Sequence, residues 1–309
     1  MVKKIIFPLI AAIIWGTAFV AQSMGAQTVP PFSFNAARSI VAVATLAIIL
    51  TISNKIKKRN GAAEKIKGGK GGIKTLLIGG FCCGTAMAVA TGLQQTGLGE
   101  TDAGKASFIT ALYIVLVPIF ARFFGKRISV FTAVSIAIAV AGMYLLCVSD
   151  SLTVGSGDIY VILCAFCFSI HILVIDRFAP FTDCIALSLV QFSVMAIESA
   201  IVAAIFEKPS LEGLVGALLP ILYLGIFSSG IAYTLQIVAQ KGSDPTLVAL
   251  ILSLESVFGA LAGALILHET MSSREIIGSA LMLVAVILSQ LPAEWLKKLP
   301  SKKAEGKKE

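Results

Sequence analysis

The chain has 309 residues, 57% of them hydrophobic and only 14% charged, with 25 Lys plus Arg against 17 Asp plus Glu. A soluble domain carries about a quarter charged residues. At a mean hydropathy of +0.92 this chain has too little polar surface to cover itself in water, and no long polar stretch offers a separate soluble domain. The basic excess does not form a nucleic-acid face, because it sits in the connections between apolar runs.

Ten apolar runs follow one another, at about 5–24, 32–53, 74–97, 104–124, 129–148, 157–176, 183–206, 215–238, 246–267 and 275–291. Most are long enough to cross roughly 30 Å of hydrocarbon at 1.5 Å per residue. They are unbroken rather than alternating, which predicts helices and not a barrel. Pro30-Pro31, Ser149-Asp150, Pro180, Pro209, Asp244-Pro245 and Pro292 fall between runs or just after the last. The first run follows Lys3-Lys4 as a signal peptide would, yet it is long, and Met24 stands where a small residue should precede Ala26. It is read as a spanning helix.

Charge sets the orientation. With the N-terminus in the cytoplasm, only Lys105, Lys208 and Arg274 fall outside, and Arg38 lies within a run; every other lysine and arginine is cytoplasmic. Ten helices return a basic tail, residues 293–309, to the same side. Nearly all six cysteines lie in or at the edge of apolar runs, where they act as small hydrophobes. Cys164-x-x-Cys167 has no second pair to complete a metal site.

The two halves resemble each other. At one constant offset the third and fourth runs match the eighth and ninth through Leu76/Leu218, Leu77/Leu219, Ala90/Ala232, Leu93/Leu235, Gln94/Gln236, Asp102/Asp244, Ile109/Ile251, Leu112/Leu254 and Val115/Val257. A second offset lays the first two runs on the sixth and seventh, placing Trp15 on Phe168, His171 on Ala18 and Arg38 on Gln191. The basic loop 54–73 absorbs the difference. Five helices per copy is an odd number, so the second copy, 151–292, enters the membrane inverted relative to the first, 1–150. Inverted repeats are the signature of carriers that alternate access around a midplane site. The expected fold is thus an all-α membrane protein of ten transmembrane helices in two inverted five-helix repeats.

Ile13-Ile14-Trp15-Gly16, Arg38, Thr101-Asp102-Ala103-Gly104-Lys105-Ala106, Leu254-Glu255-Ser256-Val257-Phe258 and Glu269-Thr270-Met271-Ser272 occur in that order. Through them the chain resembles the drug/metabolite transporter superfamily, in its EamA-type branch of permeases, over nearly its whole length. The resemblance implies a central cavity lined by helices 1, 3, 4, 6, 8 and 9, and export or exchange of amino acids and other small metabolites. Three places depart from the family. Glu255-Ser256 replaces Glu-Pro, so no proline kink is expected there; its counterpart is Tyr113-Ile114, with Pro118 a turn later; and Gly125-Lys126 replaces Gly-Glu, against His268-Glu269 in the second copy.

Ionisable groups within apolar runs are costly and so are site candidates. Glu255, near the midplane, suits a substrate amine or a proton. Glu198 suits an interhelical contact, and His171 a proton switch or a helix contact. Arg38, near the outer end of its run, can snorkel to the interface. Gln94 and Gln236 hold equivalent positions near opposite membrane faces. Depth together with the cavity helices implied by the resemblance gives a substrate-binding set of Trp15, Gln94, Tyr113, His171, Tyr233, Gln236 and Glu255. The small-residue pairs Gly80/Gly84 and Gly259/Gly263 predict close helix packing.

Gly155-Ser156-Gly157-Asp158 matches the string of intramembrane aspartyl proteases, but that chemistry needs a second buried aspartate, and Asp158 suits a helix cap instead. No other enzyme motif occurs. The expected function is a secondary transporter of a small organic, amino-acid-like metabolite, working outward across the cell membrane with no cofactor, metal or nucleic acid. A proton-coupled exporter of cationic drugs is the alternative within transport, and an intramembrane enzyme or sensor the alternative outside it.

Overall fold

The computed structural model describes residues 2–59, 71–101, 103–126, 128–147, 155–266 and 271–289. Most of the basic loop, Asp102, Ser149-Asp150, His268-Glu269-Thr270, Pro292 and the 293–309 tail lie outside the described residues. Within them all regular structure is helical: α1 (Val2–Ala26), α2 (Pro31–Arg59), α3 (Gly72–Gly97), α4 (Ala103–Ala111), α5 (Tyr113–Phe123), α6 (Val130–Cys147), α7 (Ser156–Phe178), α8 (Cys184–Phe206), α9 (Leu211–Gly216), α10 (Leu218–Tyr223), α11 (Tyr233–Gln240), α12 (Pro245–Leu252), α13 (Glu255–Ile266) and α14 (Ser273–Ser289). A π-helical stretch, Leu224–Ala232, joins α10 to α11.

Among the described residues, eight stretches are long and apolar enough to cross a membrane: Lys4–Ala26, Pro31–Arg59, Gly72–Gly97, Ala103–Phe123, Ser156–Phe181, Cys184–Phe206, Leu218–Gln240 and Pro245–Ala262. The fifth and tenth apolar runs form the shorter helices α6 and α14. These two lie together, and the crossing is tight: a Cβ on Gly278 would stand 2.6 Å from the Gly142 carbonyl oxygen.

The molecule exposes large apolar side chains and buries polar ones within its largely apolar core. Asn35, Arg38, Gln94, Gln95, His171, Gln191, Gln236 and Glu255 are buried, while Ile40, Phe81, Ile197, Phe206, Leu265 and Ile287 face outward. Lipid is as apolar as leucine, so the bundle is held by close helix contact and by polar groups that lack water as a partner. Gly84 shows the first, since a Cβ there would lie 2.6 Å from the Gln191 carbonyl oxygen of α8. Glu198 shows the second, accepting from the Thr85 hydroxyl at 2.6 Å across the α3–α8 contact.

Contacts at the helix ends give directions. α2 and α8 run antiparallel, because Lys57 pairs with Asp183 at 3.1 Å at one end while the Glu207 carboxylate accepts from the Phe32 and Ser33 amides at 2.9 and 2.7 Å at the other. The first end also holds Lys4 bonded to the Gly242 carbonyl and the Lys126–Asp176 pair. The far end holds the Lys105–Asp158 pair and the Arg274 guanidinium over the Tyr144 ring at 5.4 Å. The Asp158 carboxylate also accepts from the Gly155 amide at 2.8 Å, the cap expected of it.

Asp183 caps α8 through the Ile185 and Ala186 amides, both at 3.0 Å. Burial pushes its carboxyl up, but the Ala186 amide, the Lys57 ammonium and the Ile185 amide together hold it below its ordinary value. A depressed carboxyl stabilises the fold above its unfolded value of about 3.9 and loses that contribution as pH falls through the lower folded value. Asp183→Ala is therefore expected to cost about 1 kcal/mol through the lost cap. Asp183→Asn should cost less, keeping the cap and losing only the exposed ion pair. Thermal unfolding in detergent should show the gap between wild type and Asp183→Asn constant near neutral pH and closing below about pH 4.

Candidate solute-binding site

Two helices are interrupted at equivalent places. Leu112 separates α4 from α5, and Ser253-Leu254 separate α12 from α13. In both, bonds to the third residue back replace the α-helical pattern: Leu112 N–H to the Ile109 carbonyl at 3.2 Å, and Leu254 N–H to the Ile251 carbonyl at 3.2 Å. Such tightening turns the chain and re-aims the residues that follow. Pro118 contributes in the first case, lacking an N–H for the preceding turn. The second needs no proline; Ser253 Oγ donates to the Leu250 carbonyl at 2.8 Å, a serine back-bond that bends helices. The interruption thus persists without a proline, whose kink was not expected here.

The residues placed by these interruptions meet. Tyr113 is the first residue of α5 and Glu255 the first of α13, and the tyrosine hydroxyl donates to Glu255 Oε1 at 3.1 Å. Around them lies a cavity of about 40 Å³, and all seven residues of the expected substrate-binding set line it: Trp15, Gln94, Tyr113, His171, Tyr233, Gln236 and Glu255. Gln94 and Gln236 line the same space. Gln94 donates to Thr110 Oγ1 at 3.2 Å, and His171 Nε2 meets Gln191 Oε1 at 3.2 Å. Tyr233 sits among aromatic rings, with centroids 4.6 Å from Trp15, 5.6 Å from Phe192 and 6.0 Å from His171.

Arg38 is a correction to the sequence reading. It does not snorkel; it is 3% exposed and lines the same cavity, its guanidinium reaching Gln22 Oε1 at 3.4 Å. The reason lies in the π-helical stretch and its glycines. α2 lies directly on that stretch, and a Cβ on Gly225 would sit 2.8 Å from the Arg38 carbonyl oxygen and 2.5 Å from Val41 Cβ. With the Glu207 carboxylate capping its start, α2 is drawn inward. The signal that would have found Arg38 was present: an arginine inside an apolar run is a site candidate wherever it falls. Gln22, Thr110 and Ser228 complete the polar lining and carry no such signal.

Several polar atoms converge on this space unpaired. Trp15 Nε1, Arg38 Nε, His171 Nδ1 and Gln236 Oε1 are buried without a hydrogen-bond partner. Buried polar atoms are nearly always satisfied, so such a concentration marks a place built to receive polar groups. At about 40 Å³ the void admits a water but not an organic solute, since sites for small molecules run to about 300–1,000 Å³. A second cleft, of about 410 Å³, reaches Glu255 and Ser256 from the far end, between α1, α4 and α13. Glu255 and Phe19 line both the cavity and the cleft.

Comparison with known proteins agrees with this architecture. The description "EamA-like transporter family" matches residues 2–148 and matches again at 155–291. The chain belongs to the EamA-like transporter family. It is therefore a multi-pass membrane transporter and not an enzyme. It is 28% identical over 283 residues to an uncharacterized transporter of Archaeoglobus fulgidus, covering 91% of this chain and 84% of that one. It is 26% identical to a WAT1-related chloroplastic protein of Arabidopsis thaliana (90% and 67% covered) and 22% identical to the uncharacterized transporter YoaV of Bacillus subtilis (94% and 97%). One crystal structure superposes with a TM-score of 0.74 at 18% identity, over 95% of this chain and 98% of the other, which supports the fold alone.

The position of Glu255 depends on the crossing of α1 and α13. A Cβ on Gly16 would lie 2.6 Å from the Gly259 nitrogen and 2.7 Å from the Glu255 carbonyl oxygen, backbone atoms that cannot step aside. On Gly259 it would meet nothing closer than the Gly16 oxygen at 3.3 Å. Gly16→Ala is expected to destabilise by about 1–3 kcal/mol, as overpacking does. Gly259→Ala should cost clearly less in the same detergent melts.

Proposed function

We propose that this transporter is a secondary carrier that moves a small zwitterionic, amino-acid-like metabolite outward across the cell membrane by alternating access, with both termini in the cytoplasm. The observation that carries the reading is the pairing of a buried guanidinium, Arg38, and a buried carboxylate, Glu255, in one cavity without an ion pair between them. Each is costly at membrane depth. A ligand with a charge of opposite sign for each would satisfy both. The fork of Arg38 suits a carboxylate, Glu255 with Tyr113 suits an ammonium, and Trp15, Phe168 and Tyr233 supply an apolar wall. A purely cationic drug fits less well, since Arg38 would repel it.

Alternating access is supported by the signs of an inverted repeat. The family description fits twice, once over each proposed half, 1–150 and 151–292. Equivalent elements α2 and α8 lie antiparallel, and Tyr113 and Glu255, which hold equivalent positions in the two copies, touch. Ten spanning helices fit this scheme if α6 and α14 cross as the fifth helix of each copy. The orientation is supported by the end that holds Lys4, Lys57, Lys126, Arg177 and Lys241, against Lys105, Lys208 and Arg274 at the far end. In a cysteine-free background, Glu212→Cys should react with a membrane-impermeant thiol reagent added to intact cells and Arg59→Cys should not; the reverse pattern would refute the orientation.

The binding scheme is tested by flux of labelled neutral amino acids and of a lipophilic cation in proteoliposomes. Loss of a charged hydrogen bond is worth about 1.5–3 kcal/mol, so Glu255→Gln and Arg38→Gln are each expected to lower amino-acid flux by about 10- to 100-fold with folding kept. Normal flux with an unchanged pH profile in Glu255→Gln would remove that carboxylate from the mechanism. Loss of folded protein would make it a structural lock. Cation flux that survives Arg38→Gln and exceeds amino-acid flux would favour drug export.

A further inference from the structure

Away from the solute site, a groove of about 920 Å³ lies between α5 and α7 at the lysine-rich end. Its floor is apolar, formed by Phe120, Ile170, Leu173 and Val174. Its mouth is marked by Phe123 and Phe124, 82% and 76% exposed at the end of α5, where aromatic residues meet the headgroup layer. Its rim is basic. Asp176, the acidic residue in the lining, is taken by Lys126, and Arg177 is exposed and makes no ion pair among the described residues. The seam between α1 and α13, which also joins the two halves, is different in kind: its cleft includes Ser23, Gln27, Glu255 and Glu275 in its lining and has no basic residue. The two seams suit different occupants, one polar and acidic, the other apolar with a positive rim.

We propose that the α5–α7 groove binds one anionic phospholipid, its phosphate at Arg177 and Lys126 and an acyl chain along Phe120, Ile170, Leu173 and Val174. The groove combines an apolar length at membrane depth with positive charge at the boundary. That combination matches a lipid, and basic pockets between membrane helices bind anionic headgroups in this way. A soluble anion would leave the apolar floor uncovered, and a neutral lipid would leave Arg177 unmatched. The groove joins α5 of the first half to α7 of the second, so its occupant bridges both.

The test is retention of lipid by the purified full-length protein in native mass spectrometry, independent of any solute flux. Phosphatidylglycerol and phosphatidylcholine with the same acyl chains are the probes. One phosphatidylglycerol is expected to be retained in preference to phosphatidylcholine. Arg177→Gln should reduce that preference by about fivefold, the worth of one basic residue at a membrane surface. Lys208→Gln, at the far end, should leave it unchanged. Leu173→Trp, which fills the floor, should lower retention of both lipids, and this variant leaves every charge in place. Equal retention of the two lipids, no change in Arg177→Gln, or displacement by inorganic phosphate as readily as by phosphatidylglycerol would overturn the proposal. So would a dimer mass that disappears in Leu173→Trp, because the groove would then be covered by a second copy.

Discussion

The hydrogen bond between Tyr113 and Glu255 joins two residues that each begin a helix segment just after an interruption. A carboxylate at this depth has no water to fall back on, and its burial is tolerable only with a partner in place. That partner comes from the opposite half of the chain. The contact also needs α1 close by, and glycine at position 16 lets α1 approach the backbone of α13 where Glu255 is carried. The interruptions at Leu112 and Ser253-Leu254, the glycine crossing and the cavity are parts of one arrangement that holds a single acid in an apolar medium.

The same constraint explains Arg38. A guanidinium within a membrane helix must either reach the interface or find polar company. α2 is held at both ends, by Glu207 over its first amides and by Lys57 on Asp183, and its middle lies on the glycine-bearing π-helical stretch. Those restraints point Arg38 inward to Gln22 and the cavity. A π-helical stretch is uncommon and tends to appear where function reshapes a helix. Here it lies immediately before Tyr233, the residue in ring contact with Trp15, His171 and Phe192.

Much of this was legible in the residues and some was not, for physical reasons. Hydropathy marks spans well because lipid forces every backbone group into a helix; the ends of α3, α7 and α8 fall within two residues of their runs, while α2 continues six residues further through Lys55, Lys57, Lys58 and Arg59. Glu255 was legible because an ionisable group in an apolar run is expensive wherever the chain takes it. Tyr113 was legible as its equivalent through the constant offset, though nothing in the sequence says that equivalent residues touch. Arg38 was misplaced because distance from a run's end was taken as depth, while the burial of that end by the α8 terminus is tertiary. The π-helical stretch and the serine-led interruption have no readable periodic signature, since each is short and set in a nearly continuous apolar run. The break after Ser253 appears only when the backbone bonds are traced.

The contacts at the two ends are unequal, which bears on how such a molecule can move. At the lysine-rich end, Lys57–Asp183 and Lys126–Asp176 are partly exposed, with side-chain exposures of 41% and 23%, and 38% and 22%. Pairs of that kind are worth about 0–1 kcal/mol each. At the far end Asp158 is 3% exposed and is held by Lys105, by Thr101 Oγ1 at 2.7 Å and by the Gly155 amide at 2.8 Å. Leaving a buried carboxylate without its partners costs several times more than parting an exposed pair. Under the alternating-access proposal, separation of α4 from α7 at the far end is then the more expensive motion, and separation at the lysine-rich end the cheaper. The existing cleft to Glu255 at the far end runs between α1, α4 and α13 and leaves the Asp158 contacts closed. A path past Glu255 on that side can therefore widen by moving α1 and α13, the pair that meets at Gly16 and Gly259, without breaking the Asp158 contacts.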